Sequence, residues 1–316
     1  MQLKFSLIIP VYNRPQEIEE LLYSLTKQDF KEAFEILIIE DGSEKTCKEV
    51  LSRYDRELTI HYFYKENTGA GSSRNVGMQR ASGNYFIILD SDVLLPKHYL
   101  SDVHKALNSN FTDAFGGADK AHISFNTWQK AINYSMTSLY TTGGIRGKKK
   151  SVGKFQPRSF NMGISKKAFE ATNGFSELKY GEDIDLTFRL WAAGFKTQFI
   201  EDAYVYHKRR TNIKAFYKQT YNFGTARPYL NKKHPDSAKL TYWFPSLFII
   251  GFDIAILLAL FLHWMFILPF AFYFSVIFFD ALFQSENLKV AFCSIITTYT
   301  QFLGYGLGFL KSSFFR

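Results

Sequence analysis

Tyr85-Phe86-Ile87-Ile88-Leu89-Asp90-Ser91-Asp92 decides how this chain is read. Five apolar or aromatic residues run without a polar break, which suits a short central strand covered on both faces. The run ends in two carboxylates separated by one residue. In open α/β sheets ligands bind beyond the carboxyl ends of the strands. Two carboxylates at such a place repel each other unless a cation lies between them. Hard divalent cations take oxygen ligands, and Mg²⁺ commonly combines one or two carboxylates with substrate phosphates. The stretch is therefore expected to be a strand-end metal site that receives a phosphorylated ligand. The plainer alternative is a polar turn after a buried strand, and the surrounding sequence weighs against it.

Upstream, strands and helices alternate. Phe5 to Tyr12 reads as a first strand, broken by Asn13, Arg14 and Pro15. Gln16 to Gln28 has helical apolar spacing at Ile18, Leu21, Leu22 and Leu25. Phe34 to Ile39 is a second strand ending in Glu40-Asp41-Gly42-Ser43. Lys45 to Tyr54 is expected as a helix and Leu58 to Tyr64 as a third strand. The segment 67–77 carries glycines and Arg74 into another helix that stops near Gly83. This alternation predicts an α/β fold with a Rossmann-like, mostly parallel sheet and helices on both faces.

Downstream, 100–108 reads as a helix, 114–118 as a strand and 127–142 as a helix. Residues 143–158 bring Arg146, Lys148, Lys149, Lys150, Lys154 and Arg158 together among glycines, a basic loop. Phe160 to Ile164 is short and apolar. Gly181-Glu182-Asp183 opens a helix with acids where its dipole favours them. Thr197 to Ile200 and Ala203 to His207 are strand-like. Asn212 to Leu230 mixes lysines and arginine with aromatics, as helices at membrane interfaces do. Two apolar segments follow, Pro245 to Leu262 and Trp264 to Phe283, each of roughly membrane-spanning length. A third, Val290 to Leu310, is weaker. Asp253 and Asp280 inside these segments are expensive unless they face protein or water.

The 316 residues are 47% hydrophobic and 18% aromatic, enough for a sizeable core and against global disorder. Residues 1–242 carry the whole formal charge of +9. A basic globular part joined to an apolar tail suggests an anionic membrane surface as partner rather than nucleic acid. Lys232, Lys233 and Lys239 before the first apolar segment place the catalytic part on the cytoplasmic side, at an inner membrane. By the same rule, three full spans would put Lys311 and Arg316 outside, so the third segment is expected to lie in the interface or re-enter. The two cysteines, Cys47 and Cys293, make no disulfide framework. The first residues open directly into a strand, and no signal peptide is expected.

Five motifs now stand in order: Ser6-Leu7-Ile8-Ile9-Pro10-Val11-Tyr12-Asn13-Arg14, Ile38-Ile39-Glu40-Asp41-Gly42-Ser43, Ser73-Arg74-Asn75-Val76-Gly77, Asp90-Ser91-Asp92 and Gly181-Glu182-Asp183. Their order and spacing resemble the family 2 glycosyltransferases over residues 3–210. The resemblance implies a GT-A fold, a nucleotide-diphosphate sugar donor with UDP favoured, a divalent metal (Mg²⁺ or Mn²⁺) and inversion at the anomeric carbon. It implies donor contacts at Pro10, Tyr12, Arg14, Asp41, Asn67, Arg74, Asp90 and Ser91, with Asp41 on the uracil. Asp92 and Asp90 would hold the metal, joined by His207 as in some members. Asp183, with Glu182 beside it, would be the general base that takes the acceptor's proton. Asn161, Met162 and Gly163 resemble the segment lining the sugar pocket. The apolar tail resembles members working on lipid-linked or cell-surface glycans.

The departures are informative. Many relatives have Asp-Asp where this chain has Glu40-Asp41, and the longer Glu40 arm could shift the ribose contact. The Gln-x-x-Arg-Trp motif of processive synthases is absent, which favours transfer of a single sugar. The expected organisation is a catalytic domain over 1–210, a basic linker helix over 211–240 and a membrane domain over 241–316. A nucleotidyl or sugar-phosphate transferase, and a catalytically inactive nucleotide-binding membrane module, are the competing readings. The P-loop pattern that would help the first is missing.

Overall fold

The computed structural model describes residues 2–142 and 155–315. Most of the basic stretch at 143–158 lies outside the described residues. In chain order the first elements are β1 (Phe5–Val11), α1 (Pro15–Thr26), β2 (Glu35–Asp41), α2 (Lys48–Leu51), β3 (Ile60–Lys65), α3 (Ala70–Arg80) and β4 (Tyr85–Leu89). Then come β5 (Val93–Leu94), α4 (Tyr99–Ser109), β6 (Ala114–Lys120), α5 (Thr127–Thr137), α6 (Leu139–Thr142), β7 (Asn161–Ser165), α7 (Lys166–Thr172), α8 (Glu182–Ala192) and β8 (Thr197–His207). The last are α9 (Ile213–Lys233), α10 (Phe244–Phe261), α11 (Leu268–Ser285) and α12 (Leu288–Phe314).

The described residues fall into two compact units. Those up to Lys120 and from Phe155 to His207 form one; Ala121 to Thr142 and Lys208 to Phe315 form the other. The first unit is built on an eight-stranded sheet in the order β3-β2-β1-β4-β7-β6-β8-β5. β1 runs parallel to β2 and β4, with Ile9 beside Ile38 and Ile8 beside Ile88. Their side chains alternate between two cores. Leu7, Ile9, Ile36, Ile38, Ile87 and Leu89 enter one, while Ile8, Leu37, Ile39, Phe86 and Ile88 enter the other. A strand buried on both faces has no polar side to show, hence the unbroken apolar runs.

The topology gathers the strand ends that matter. β7 is antiparallel to both β4 and β6, and β6 is parallel to β8. Two reversals restore the direction, so β6 and β8 end at the same edge as β1, β2 and β4. β7 begins there, with Asn161 opposite Leu89. Val11, Asp41, Leu89, Lys120 and His207 therefore close strands along one rim.

Some expectations change. The helix read at 45–54 is a single turn, α2, because Glu40 draws the preceding residues into a buried loop: it accepts from the Cys47 amide at 2.9 Å and the Cys47 thiol at 3.1 Å. The two strand-like pieces after 197 are one strand of 11 residues. The helix at 127–142 breaks at Ser138, whose backbone is extended. The two-residue strand β5 pairs with the end of β8 and had no sequence signal of its own.

In the second unit, Leu240–Phe261 and Trp264–Ser285 are each 22 residues long and contain 18-residue stretches of mean hydropathy 2.3 and 2.0, long and apolar enough to cross a membrane. Leu247, Leu260, Phe272 and Phe279 are exposed on them. The connection at His263 is tight, with its imidazole Nδ1 accepting from the Met265 amide at 3.2 Å. Asp253 is exposed on α10, whereas Asp280 faces protein and accepts from Tyr134 Oη at 2.6 Å and Gln284 Nε2 at 2.8 Å. α12 is one continuous helix of 27 residues. Gly304 and Gly308 lie against α9 and Thr297 against α5, and a Cβ on Gly224 of α9 would stand 2.1 Å from the Tyr305 carbonyl oxygen. Small residues let helix backbones approach this closely.

Candidate active site

The site is assembled on the rim of the first unit. β4 delivers Asp90 as its buried run ends, and Asp92 sits two residues on, immediately before β5. β5 pairs Val93 with His207, so the last residue of β8 is carried next to Asp92. His207 Nε2 lies 3.3 Å from Asp92 Oδ1. The Arg14 guanidinium, arriving from the loop after β1, donates to the other oxygen, Asp92 Oδ2. Burial alone would raise the Asp92 carboxyl; His207 and Arg14 outweigh it and hold the group well below the usual carboxylate range.

Asp90, Asp92 and His207 each offer a ligand atom within 4.8 Å of the others. Two carboxylates and an imidazole suit a divalent cation. Asp92 Oδ1 is buried and accepts no hydrogen bond among the described residues. A buried carboxylate oxygen left without a donor, beside a second carboxylate and an imidazole, is a donor set that fits a metal.

Asp90 is joined to the second carboxylate pair through Arg74. This guanidinium is almost completely buried. It donates to Asp90 Oδ1 at 2.7 Å and to Glu182 Oε1 at 3.0 Å. The structure thus places Arg74 between two carboxylates rather than on an open nucleotide surface. Burial, and then the neighbouring Asp183, push Glu182 up to about 7 against the pull of Arg74. Asp183 is held at the start of α8: its Oδ1 accepts from the Ile184 amide at 2.8 Å, its Oδ2 from the Ser159 amide at 3.4 Å, and Arg158 lies 3.9 Å away.

At the end of β2, Asp41 accepts from the Thr68 amide at 3.0 Å, the Gly69 amide at 2.9 Å and the Lys65 ammonium. Burial works against its charge, but these donors prevail and keep its carboxyl below the ordinary value. Asn67, exposed, donates to the Asp41 carbonyl at 2.8 Å. The turn between them needs glycine at position 42, where φ is +73° and a Cβ would lie 2.7 Å from the Asn67 nitrogen. Glu40 points the other way, into the loop it anchors through Ser43 and Cys47, and does not reach toward the rim. Asn13 ties the first two strand ends together, accepting from the Glu44 and Lys45 amides.

Pro10 is buried within β1 opposite Ile39, Tyr12 is 52% exposed just past its end, and Ser91 is buried between the two aspartates. Asn161, Met162 and Gly163 lie inside the sheet. Asn161 spends its amide on Tyr99 (2.6 Å) and the Ala203 carbonyl (2.8 Å), and Gly163 leaves room for the Phe115 ring. These three form framework beneath the rim rather than a pocket wall. One residue without a signal in the sequence joins the group: Asp119, near the end of β6, is buried with Oδ2 3.8 Å from His207 Nδ1. An aspartate beside a lysine at a strand end reads as a solvated charge pair, and only the sheet order brings it to His207.

Comparison with known proteins bears on this arrangement. The chain is 34% identical over 114 residues to the poly(ribitol-phosphate) beta-N-acetylglucosaminyltransferase TarS of Staphylococcus aureus, covering 35% of this chain and 20% of that one. The chain thus spans about a fifth of that relative's length. It is 26% identical over 227 residues to the GalNAc(5)-diNAcBac-PP-undecaprenol beta-1,3-glucosyltransferase of Campylobacter jejuni, covering 71% and 69%. Among solved structures, a mannosyltransferase from Pyrobaculum calidifontis in complex with GDP-Man and Mn²⁺ aligns over 99% of this chain and 88% of its own, with TM-score 0.64 at 14% identity. S. aureus TarS 1–349 in complex with UDP aligns over 99% and 93%, with TM-score 0.52 at 20% identity. At these identities the structures speak for the fold, which is of the GT-A type with apolar helices appended. The sequence profile of glycosyl transferase family 2 matches residues 6–172, more than half of the chain, and the chain belongs to that family.

Proposed function

We propose that this protein is a membrane-associated, inverting glycosyltransferase that moves one sugar from a nucleotide-diphosphate donor, UDP-sugar favoured, to a hydroxyl or phosphate of a lipid-linked or cell-surface glycan. The observation that carries the reading is the pairing of Asp90, Asp92 and His207 with Glu182-Asp183 through Arg74 at one sheet rim. A divalent cation held by Asp90, Asp92 and His207 would stabilise charge on the leaving diphosphate. Asp41 and the Thr68–Gly69 turn would offer a polar seat for the base, and Arg14, now paired with Asp92, would follow the diphosphate. Asp183 takes the acceptor proton, and single displacement requires it on the sugar face opposite the leaving group. The Campylobacter relative, named for a lipid-diphosphate-linked substrate and matched over most of both chains, supports the acceptor class. The two apolar helices support the membrane, with the catalytic unit on the cytoplasmic side of an inner membrane.

Calorimetry with UDP and GDP, with and without Mn²⁺, on wild type and Asp92→Asn tests the donor site. Metal-dependent UDP binding lost in the variant is the expected result. Tight GDP binding with no UDP binding replaces the donor, and no nucleotide binding at all overturns the catalytic reading.

A further inference from the structure

We propose that Asp119 is a positioning residue for His207, turning Nδ1 toward itself and presenting Nε2 to Asp92 and the cation site. It rests on reading Asp90, Asp92 and His207 as that site. Contacts among the described residues hold the imidazole in place. Its face stacks on the buried Phe160 ring, with centroids 4.8 Å apart and planes 20° from parallel. One ring nitrogen, Nε2, is 3.3 Å from Asp92 Oδ1, and the other, Nδ1, is 3.8 Å from Asp119 Oδ2. That second separation exceeds a hydrogen bond by about 0.8 Å.

The backbone is shaped for the contact. β8 lies between β6 and β5, so the two aspartates flank His207 from opposite strands. β6 pairs Asp119 with Val205, two residues before His207 and on the same face. A register shift between Gly117 and Asp119 sets this pairing, and bulges commonly re-aim a side chain in this way. Gly117 makes the shift sterically possible, since a Cβ there would sit 1.7 Å from the Ala203 carbonyl oxygen. A buried carboxylate behind a metal-facing imidazole fixes the tautomer and strengthens the ligand, and its loss typically weakens metal binding by about 10–100-fold.

The test uses the full chain in detergent. Mn²⁺ binding in the presence of UDP is titrated for wild type, His207→Ala and Asp119→Asn, with thermal melts in chelator as a control on folding. The expected result is Mn²⁺ binding weakened roughly 10-fold or more in Asp119→Asn, with its melt close to wild type. Independently, ¹⁵N-histidine NMR of metal-free wild type at alkaline pH is expected to find His207 with its proton on Nδ1, and Asp119→Asn to shift that preference. Wild-type Mn²⁺ affinity in Asp119→Asn beside a loss in His207→Ala overturns the inference and leaves the metal site standing. A wild-type His207 protonated on Nε2 also overturns it. No Mn²⁺ binding by the wild type overturns both the inference and the metal site.

Discussion

Arg74 joins Asp90 to Glu182, with one guanidinium nitrogen 2.7 Å from the first carboxylate and another 3.0 Å from the second. Asp90 follows β4, Arg74 lies on α3 and Glu182 on α8, so a single buried guanidinium connects the Asp90–Asp92 and Glu182–Asp183 sides of the rim. Removing one partner from a buried ionic cluster leaves uncompensated charge, which is strongly destabilising. Arg74→Gln is expected to lower stability by about 3–5 kcal/mol, and Arg74→Lys by less but measurably, since an ammonium cannot span both carboxylates as the planar fork does. Chemical denaturation of the three proteins checks this. A melt unchanged in Arg74→Gln would count against the bridge.

Glu182 should make stability depend on pH. Its folded carboxyl is pushed up to about 7, above its ordinary value of 4.5. The folded state therefore binds more protons than the unfolded chain between these values, and stability falls as pH rises through that window. The loss is complete above about pH 7 and absent below about 4.5. Glu182→Gln can still accept from Arg74 through its amide oxygen but carries no charge. Relative to wild type it should gain on the order of 1–3 kcal/mol between pH 5 and pH 8. Denaturation midpoints at the two pH values give the difference, and a parallel shift in both proteins would refute it.

Asp183→Asn should separate chemistry from binding. The amide keeps the shape of the side chain and can still accept from the Ile184 amide, but it cannot take a proton. Turnover is expected to fall about 10²–10⁴-fold, with donor binding within a factor of two or three. A variant that transfers sugar at the wild-type rate removes Asp183 from the base role.

Gly224 is one of the points where α9 and α12 meet closely. A Cβ there would lie 2.1 Å from the Tyr305 carbonyl oxygen and 2.8 Å from the Phe309 nitrogen, and backbone cannot move aside as a side chain can. Gly224→Val should destabilise the second unit by about 1–3 kcal/mol through overpacking. Exposed Gly194, with nothing within 4 Å of the same built atom, is the contrast, although its φ of +83° argues for Asn rather than Val as the control substitution. Thermal aggregation in detergent reports both.

The sequence by itself determined β1, β2 and β4 and the two apolar helices, because these announce themselves by period and run length. Unbroken apolar runs at 7–11, 36–39 and 85–89 mark strands covered on two faces, and runs near 20 residues mark helices with no polar side. It also determined where chemistry would collect, since Asp41, Asp90 and Asp92 sit at the ends of such runs. Tertiary structure decided which carboxylates share the Arg74 guanidinium and which face the His207 imidazole. Arg74 is 108 residues from Glu182, and Asp119 meets His207 only because β6 and β8 are neighbours. Tertiary structure also decided that Glu40 turns inward to hold Cys47, and that Asn161 serves the framework. Local pattern records whether a side chain is buried, but a buried polar group's partner is set by which strands lie side by side, and that order is written in long-range pairing rather than in any short stretch of chain.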